Sequence, residues 1–149
     1  MPVRDGRAMP RSAERGQALI EVALVLPVLL ILAFGVVGVG KVIEAKMGVS
    51  AVAREAARAA ALANDGDEAW TRGMLRGQDV AAGYGLSNGS LELTVAPGSF
   101  KRGGAVQAGT RYAVDLASLP LMGWFRVTVS SAHQEQIDPY RSRWTASGG

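Results

Sequence analysis

Val22 to Gly40 reads VALVLPVLLILAFGVVGVG, nineteen residues without a charge. As a helix rising 1.5 Å per residue it spans roughly 28 Å, close to the ~30 Å hydrocarbon core of a bilayer. A small soluble domain has no place for a helix that is apolar on every side, so this run predicts a transmembrane helix. Arg11 and Arg15 precede it, and a more balanced set, Lys41, Glu44 and Lys46, follows. That bias predicts a cytoplasmic N-terminus, a single pass through the cytoplasmic membrane and an extracytoplasmic body. A secretory signal peptide is the plainer alternative. Against it, the run is longer than an ordinary h-region, Glu21 stands at its start, and the helical pattern continues past it with no small-x-small cleavage site.

The chain has 149 residues, enough for one small domain and an attached element. Its net charge is +3, of which the first 16 residues hold +2 through Arg4, Arg7, Arg11 and Arg15 against Asp5 and Glu14. The body therefore has no basic face, and nucleic acid is not an expected partner. The absence of Cys excludes disulfides, thiolate metal sites and Cys nucleophiles, and the single His133 excludes a two-His mechanism. No cofactor and no metal are expected.

Residues 1–16 are polar, contain two prolines and lack periodicity, so they read as a disordered leader. Residues 17 to about 63 read as one helix, 17–40 in the membrane and 41–63 beyond it. In the second half Val42, Val49, Val52, Ala53, Ala56 and Ala60 fall near one stripe, with Ala45 beside it. Lys46, Arg54, Glu55 and Arg58 lie mostly off it. Asn64-Asp65-Gly66-Asp67 stops this helix. Asp67 is the expected cap of a second helix, about Glu68 to Ala82, which would pack through Trp70, Met74, Leu75 and Val80. The period then changes to two around Leu91, Leu93 and Val95, around Tyr112, Val114 and Leu116, and around Phe125, Val127 and Val129. The linkers are the Gly-rich Pro97 to Gly109 and the stretch Leu119 to Gly123. The expected fold is α+β and pilin-like. A long N-terminal helix and a short second helix cover a three-stranded antiparallel sheet, with residues 64–149 as a small extracytoplasmic domain ending in a frayed tail.

Around the start of the membrane run, a basic leader is followed by Gly16, then Gln17-Ala18-Leu19-Ile20, then Glu21 and the apolar helix. This arrangement is similar to the class III signal of type IV pilins and pseudopilins. The wider string RGQALIEVALVLPVLLILAFGVVGVGKVIEAKMGVSAVAREAARAAA resembles the TadE-like family of the tight-adherence (Flp pilus) system, and HQEQIDPYRSR resembles that family's C-terminal region. Many Flp-type signals place an aromatic residue after the Glu, where this chain has Val22.

The resemblance implies that a prepilin peptidase cuts after Gly16, making Gln17 the new N-terminus and Glu21 the fifth mature residue. A carboxylate at the edge of hydrocarbon needs compensation. The implied partner is the α-amino group of an adjacent subunit, freed by cleavage; the plainer reading is a Glu that snorkels to the headgroups. The resemblance further implies a minor pilin or pseudopilin that acts in adhesion or secretion. Its partners would be the peptidase, other pilin or pseudopilin subunits, the Tad assembly platform and the bilayer. Pro27 frees the Ala23 carbonyl and is a candidate kink for helix packing, or a tolerated membrane proline.

Other tempting patterns fail. An EF-hand loop starting at Asp65 would need Gly at position 70 and Glu at 76, where the chain has Trp70 and Arg76. Gly83 to Gly89 has neither dinucleotide nor P-loop spacing. His133 beside Ser130, Ser131 or Asp138 does not make a triad, and Trp70, Trp124 and Trp144 read as packing or interface residues. No constellation points to an enzyme. The rival to a pilin role is an uncleaved, signal-anchored extracytoplasmic binding or envelope-assembly module.

Overall fold

The computed structural model describes residues 11–86, 89–120 and 123–140, with the backbone alone for 11–15. The first ten residues of the expected leader, Trp144 and the expected frayed tail from 141 onward lie outside the described residues. Helix α1 runs Arg11–Ala61, 51 residues and roughly 75 Å long. Helix α2 runs Gly66–Gly83, and strands β1 (Leu91–Ala96), β2 (Ala105–Asp115) and β3 (Arg126–Gln136) follow. The strands form an antiparallel meander in the order β1-β2-β3, with Leu91 opposite Tyr112 and Val114 opposite Val127. The α+β architecture is the expected one.

Helix α1 has two halves with different environments. From Gly16 to Ala33 every residue is exposed, and apolar side chains such as Leu24 and Ile31 point outward all round. The segment Gly16–Ala61 has mean hydropathy 2.9 over its most apolar window, enough in length and composition to cross a membrane. Beyond Lys41 the helix buries one stripe: Ala45, Val49, Val52, Ala53, Ala56, Ala57 and Ala60. Lys46, Arg54 and Arg58 are exposed on the other side, as the periodicity indicates.

Several boundaries differ from expectation. Helix α1 begins at Arg11 rather than Gln17, so residues 11–16 of the expected disordered leader are helical. Ser12, Ala13, Glu14 and Arg15 form a helical turn that continues the strong pattern downstream. The cap of α2 is Asp65, not Asp67. Asp65 Oδ1 accepts from Glu68 N at 2.8 Å, and Glu68 Oε2 accepts from Asn64 N at 2.7 Å. The first bond sets the cap three residues before Glu68, and the second carries Glu68 back past the cap to the N–H of the residue before it. They also occupy the acidic run that had invited a calcium reading. Strand β2 starts at Ala105, inside the expected Gly-rich linker, and β3 runs on to Gln136. The inward positions of that extension, Ser131, His133 and Glu135, are polar and carry no apolar alternation.

Of the residues expected to pack α2, Met74 and Val80 do so and Trp70 and Leu75 do not; the centre of the packed face is made of small residues. Ala69, Gly73, Gly77 and Ala81 are buried, while Trp70 and Leu75 are exposed and Met74 and Val80 are half-buried. Spacing of four puts these small residues on one stripe, which lets α2 approach both α1 and β1 closely. A Cβ on Gly73 would stand 3.1 Å from the Ala56 carbonyl oxygen and 2.9 Å from Val95 Cγ1. One on Gly77 would meet mainly the tip of Leu93, at 2.5 Å. A backbone oxygen cannot swing aside and a leucine tip can. Alanine gains about 1 kcal/mol of helix propensity over glycine, and overpacking costs about 1–3 kcal/mol. Gly73→Ala should therefore lower stability by about 1 kcal/mol and Gly77→Ala should be nearly neutral. Thermal unfolding of the two full-length variants in detergent checks the order; equal midpoints would refute it.

The core forms two clusters along α1. The one nearer the apolar half joins Ala45, Val49 and Val52 to Ala81, Leu86, Tyr112, Val114, Leu116 and Val129. The distal one joins Ala56, Ala57 and Ala60 to Ala69, Val95, Val106, Ala108 and Ile137. Between them Thr110 is 4% exposed and its Oγ1 donates to the Val49 carbonyl at 2.8 Å. Thr110→Val keeps the shape and removes this bond, leaving the Val49 carbonyl its helical partner. The expected loss is about 1 kcal/mol, read as a lower urea midpoint with an unchanged slope.

Candidate functional site

The sequence places its candidate residues on the first turns and the apolar body of α1. Gly16 is helical and exposed, and a Cβ added there would meet nothing within 4 Å. The fold itself therefore imposes no need for glycine at this position. Gln17 and Glu21 are exposed and four residues apart, hence on one face of the helix. The helix is continuous through Pro27, which lacks the N–H that would bond the Ala23 carbonyl. These four residues make no contact with the αβ body. Glu21 is 24 residues before Ala45, the first of the buried stripe, or roughly 36 Å along the axis.

At the other end of the apolar run two lysines tie the helix to the sheet. Lys41 Nζ donates to Ser118 Oγ at 2.9 Å, and Lys46 Nζ donates to the Ser130 carbonyl on the outer strand β3. Neither tie shows in the sequence, because single lysines have no pattern. The small-residue stripe of α2 was legible in principle from Ala69, Gly73, Gly77 and Ala81 at intervals of four, but hydrophobicity points to Met74 and Val80, which flank it, and to Trp70 and Leu75, which are exposed. The structure uses His133 and Asp138 locally. His133 Nε2 lies 3.4 Å from Glu135 Oε2, and Asp138 Oδ1 accepts from Tyr140 N at 2.8 Å.

The arrangement is a rod with a body at one end. One end holds Gly16, Gln17 and Glu21, exposed and, among the described residues, remote from the αβ body. The other end holds the body close to the last apolar turn. Comparison with curated proteins and with solved structures gives no match. The family model described as TadE-like protein matches residues 16–58. From the glycine that precedes the uncharged run to the upper part of the buried stripe, the chain is similar to the TadE-like family.

Proposed function

We propose that the chain is a minor pilin or pseudopilin of a Tad (Flp) pilus apparatus, cut after Gly16 by a prepilin peptidase and assembled through its apolar helix. The TadE-like match associates the chain with the Tad pilus. The observation that carries the finer reading is where that match begins. It starts at Gly16, takes in Gln17 and Glu21, and runs through the apolar span into the stalk. The role is assembly rather than catalysis. The leader directs insertion with the N-terminus in the cytoplasm. Cleavage frees the α-amino group of Gln17. Helices of neighbouring pilin subunits then pack side by side on the assembly platform, with each Glu21 facing a freed amine and Pro27 relieving the backbone where packing needs it. The αβ body, outside the membrane, offers its sheet to adhesion or secretion partners.

Intact mass of the membrane-extracted chain, made with and without a co-expressed prepilin peptidase, tests this. A species starting at Gln17 only in the presence of the peptidase supports the reading. A full-length chain in both samples, with the peptidase active on a control substrate, refutes it. One observation favours a second reading: α1 passes through Gly16 without a break from Arg11. An uncleaved signal-anchored module would keep that continuous helix and retain residues 1–16 in its mature form.

A further inference from the structure

The connections at the two ends of the αβ body differ in charge, and those beside the apolar half of α1 are uncharged, between Asp79 and Glu92 in one case and between Asp115 and Arg126 in the other. Two connections meet there. Residues 80–91, from the last turn of α2 to β1, contain no charged residue, and neither do residues 116–125 between β2 and β3. The connections at the distal end carry Asp65, Asp67 and Glu68 in one case and Lys101 and Arg102 in the other.

The near position of the first pair is fixed by contacts. Helix α2 ends in a Schellman motif: Gly85, at φ 68°, donates from its N–H to the Ala82 carbonyl, and Leu86 N donates to the Ala81 carbonyl. Leu86 is thereby buried against Gly48 of α1, whose added Cβ would lie 2.9 Å from Leu86 Cδ1, while Tyr84 remains 48% exposed. The β2–β3 connection is held by the bond from Lys41 to Ser118. At its far end Trp124 is 74% exposed and Phe125 52% exposed, their rings 5.9 Å apart and tilted at 53°.

These connections therefore face the turn Lys41–Ala45, which begins at the end of the uncharged run. Ala45 lies only about 7 Å beyond Gly40 along the helix. The headgroup layer outside the hydrocarbon is of similar depth, about 5–7 Å. Tyr and Trp are the residues that favour this layer, where the ring meets the acyl boundary and the polar atom meets water.

We propose that this end of the body rests on the bilayer, with Tyr84, Trp124 and Phe125 in the headgroup layer, so that the stalk does not hold the body clear of the membrane. The proposal rests on α1 spanning a membrane, as in the function proposed above. The occupant is the lipid surface itself, because the exposed aromatic rings stand within a headgroup depth of the end of the apolar run, and Lys41, Glu44 and Asp115 beside them are side chains that this polar layer accommodates.

The test uses the full chain in vesicles of phosphatidylcholine and phosphatidylglycerol, with or without lipids brominated near the top of the acyl chains. Three proteins each keep one tryptophan. The first retains Trp124, with Trp70→Phe and Trp144→Phe. The second retains Trp70 at the distal end, with the other two replaced. The third has all three replaced and adds Leu30→Trp within the apolar run. Brominated lipid should lower the Trp124 emission roughly two-fold and leave that of Trp70 unchanged. If the Leu30→Trp reporter is quenched and Trp124 is not, the proposal falls while the spanning helix stands. Equal quenching of Trp124 and Trp70 also overturns it. An unquenched Leu30→Trp reporter overturns the spanning reading and this proposal together.

Discussion

Replacing Gly16 with Arg should leave the chain full length in the presence of an active prepilin peptidase, and replacing it with Ala should slow cleavage without stopping it. The two substitutions separate two requirements. A protease reads an extended backbone, and the residue before the scissile bond must enter the cleft; Arg fills that space and blocks the reaction outright. In the free chain Gly16 is helical, so cleavage also requires the first turns of α1 to open. Glycine lowers the cost of that opening. Alanine stabilises a helix interior by about 1 kcal/mol relative to glycine, which corresponds to roughly a five-fold smaller population of the opened form. The Ala variant has no clash to confound this, since an added Cβ meets nothing within 4 Å. A time course of intact mass should therefore show a roughly five-fold slower appearance of the species starting at Gln17 for Gly16→Ala, and none for Gly16→Arg. Wild-type kinetics for the Arg variant would remove Gly16 from the processing site.

The parts of this molecule that were legible in the sequence are those whose environment repeats. The apolar run reads as a spanning helix because every side of it faces the same solvent. The alanine stripe from Ala45 to Ala60 reads because one face of α1 is covered throughout. The strands read wherever apolar and polar residues alternate. Legibility fails where packing is achieved without hydrophobicity. Helix α2 packs through Gly73 and Gly77, which carry no side chain to signal it, while Trp70 and Leu75 point outward. The upper half of β3 turns Ser131, His133 and Glu135 inward, and its register with Ala108 and Val106 comes from β2 rather than from its own pattern. The cap at Asp65 was written in the spacing Asp65–Glu68, but Asp67 competed for the same role, and only the bond from Glu68 N to Asp65 Oδ1 decides between them. The candidate site is a different case. Gly16, Gln17 and Glu21 are exposed among the described residues, so no packing argument finds them; they are recognisable only as a spacing that another molecule would read.

Glu21→Ala should insert, be cleaved after Gly16 at the wild-type rate, and then fail to assemble. Removing the carboxylate makes insertion easier, because an ionised side chain costs up to about 2.5–3.5 kcal/mol at mid-bilayer and less near the interface. Cleavage is indifferent to it, since Glu21 lies more than a helical turn beyond the scissile bond. The loss appears only when helices meet. Cleavage creates a cation at Gln17, and in a laterally packed array that cation lies at the edge of hydrocarbon. Without Glu21 on a neighbouring helix it stays unpaired, and 1.4 kcal/mol of lost pairing already means a ten-fold weaker association. Incorporation into sheared pili, measured against the membrane pool by quantitative blotting, should therefore fall by at least about ten-fold. Glu21→Asp keeps the charge on a shorter arm and should recover part of the loss, which a merely apolar packing role would not predict. Glu21→Gln keeps the size without the charge and should behave like Ala. Normal incorporation of either uncharged variant would show that Glu21 simply reaches the headgroups, and the coupling between processing and assembly would then have to lie elsewhere on the helix.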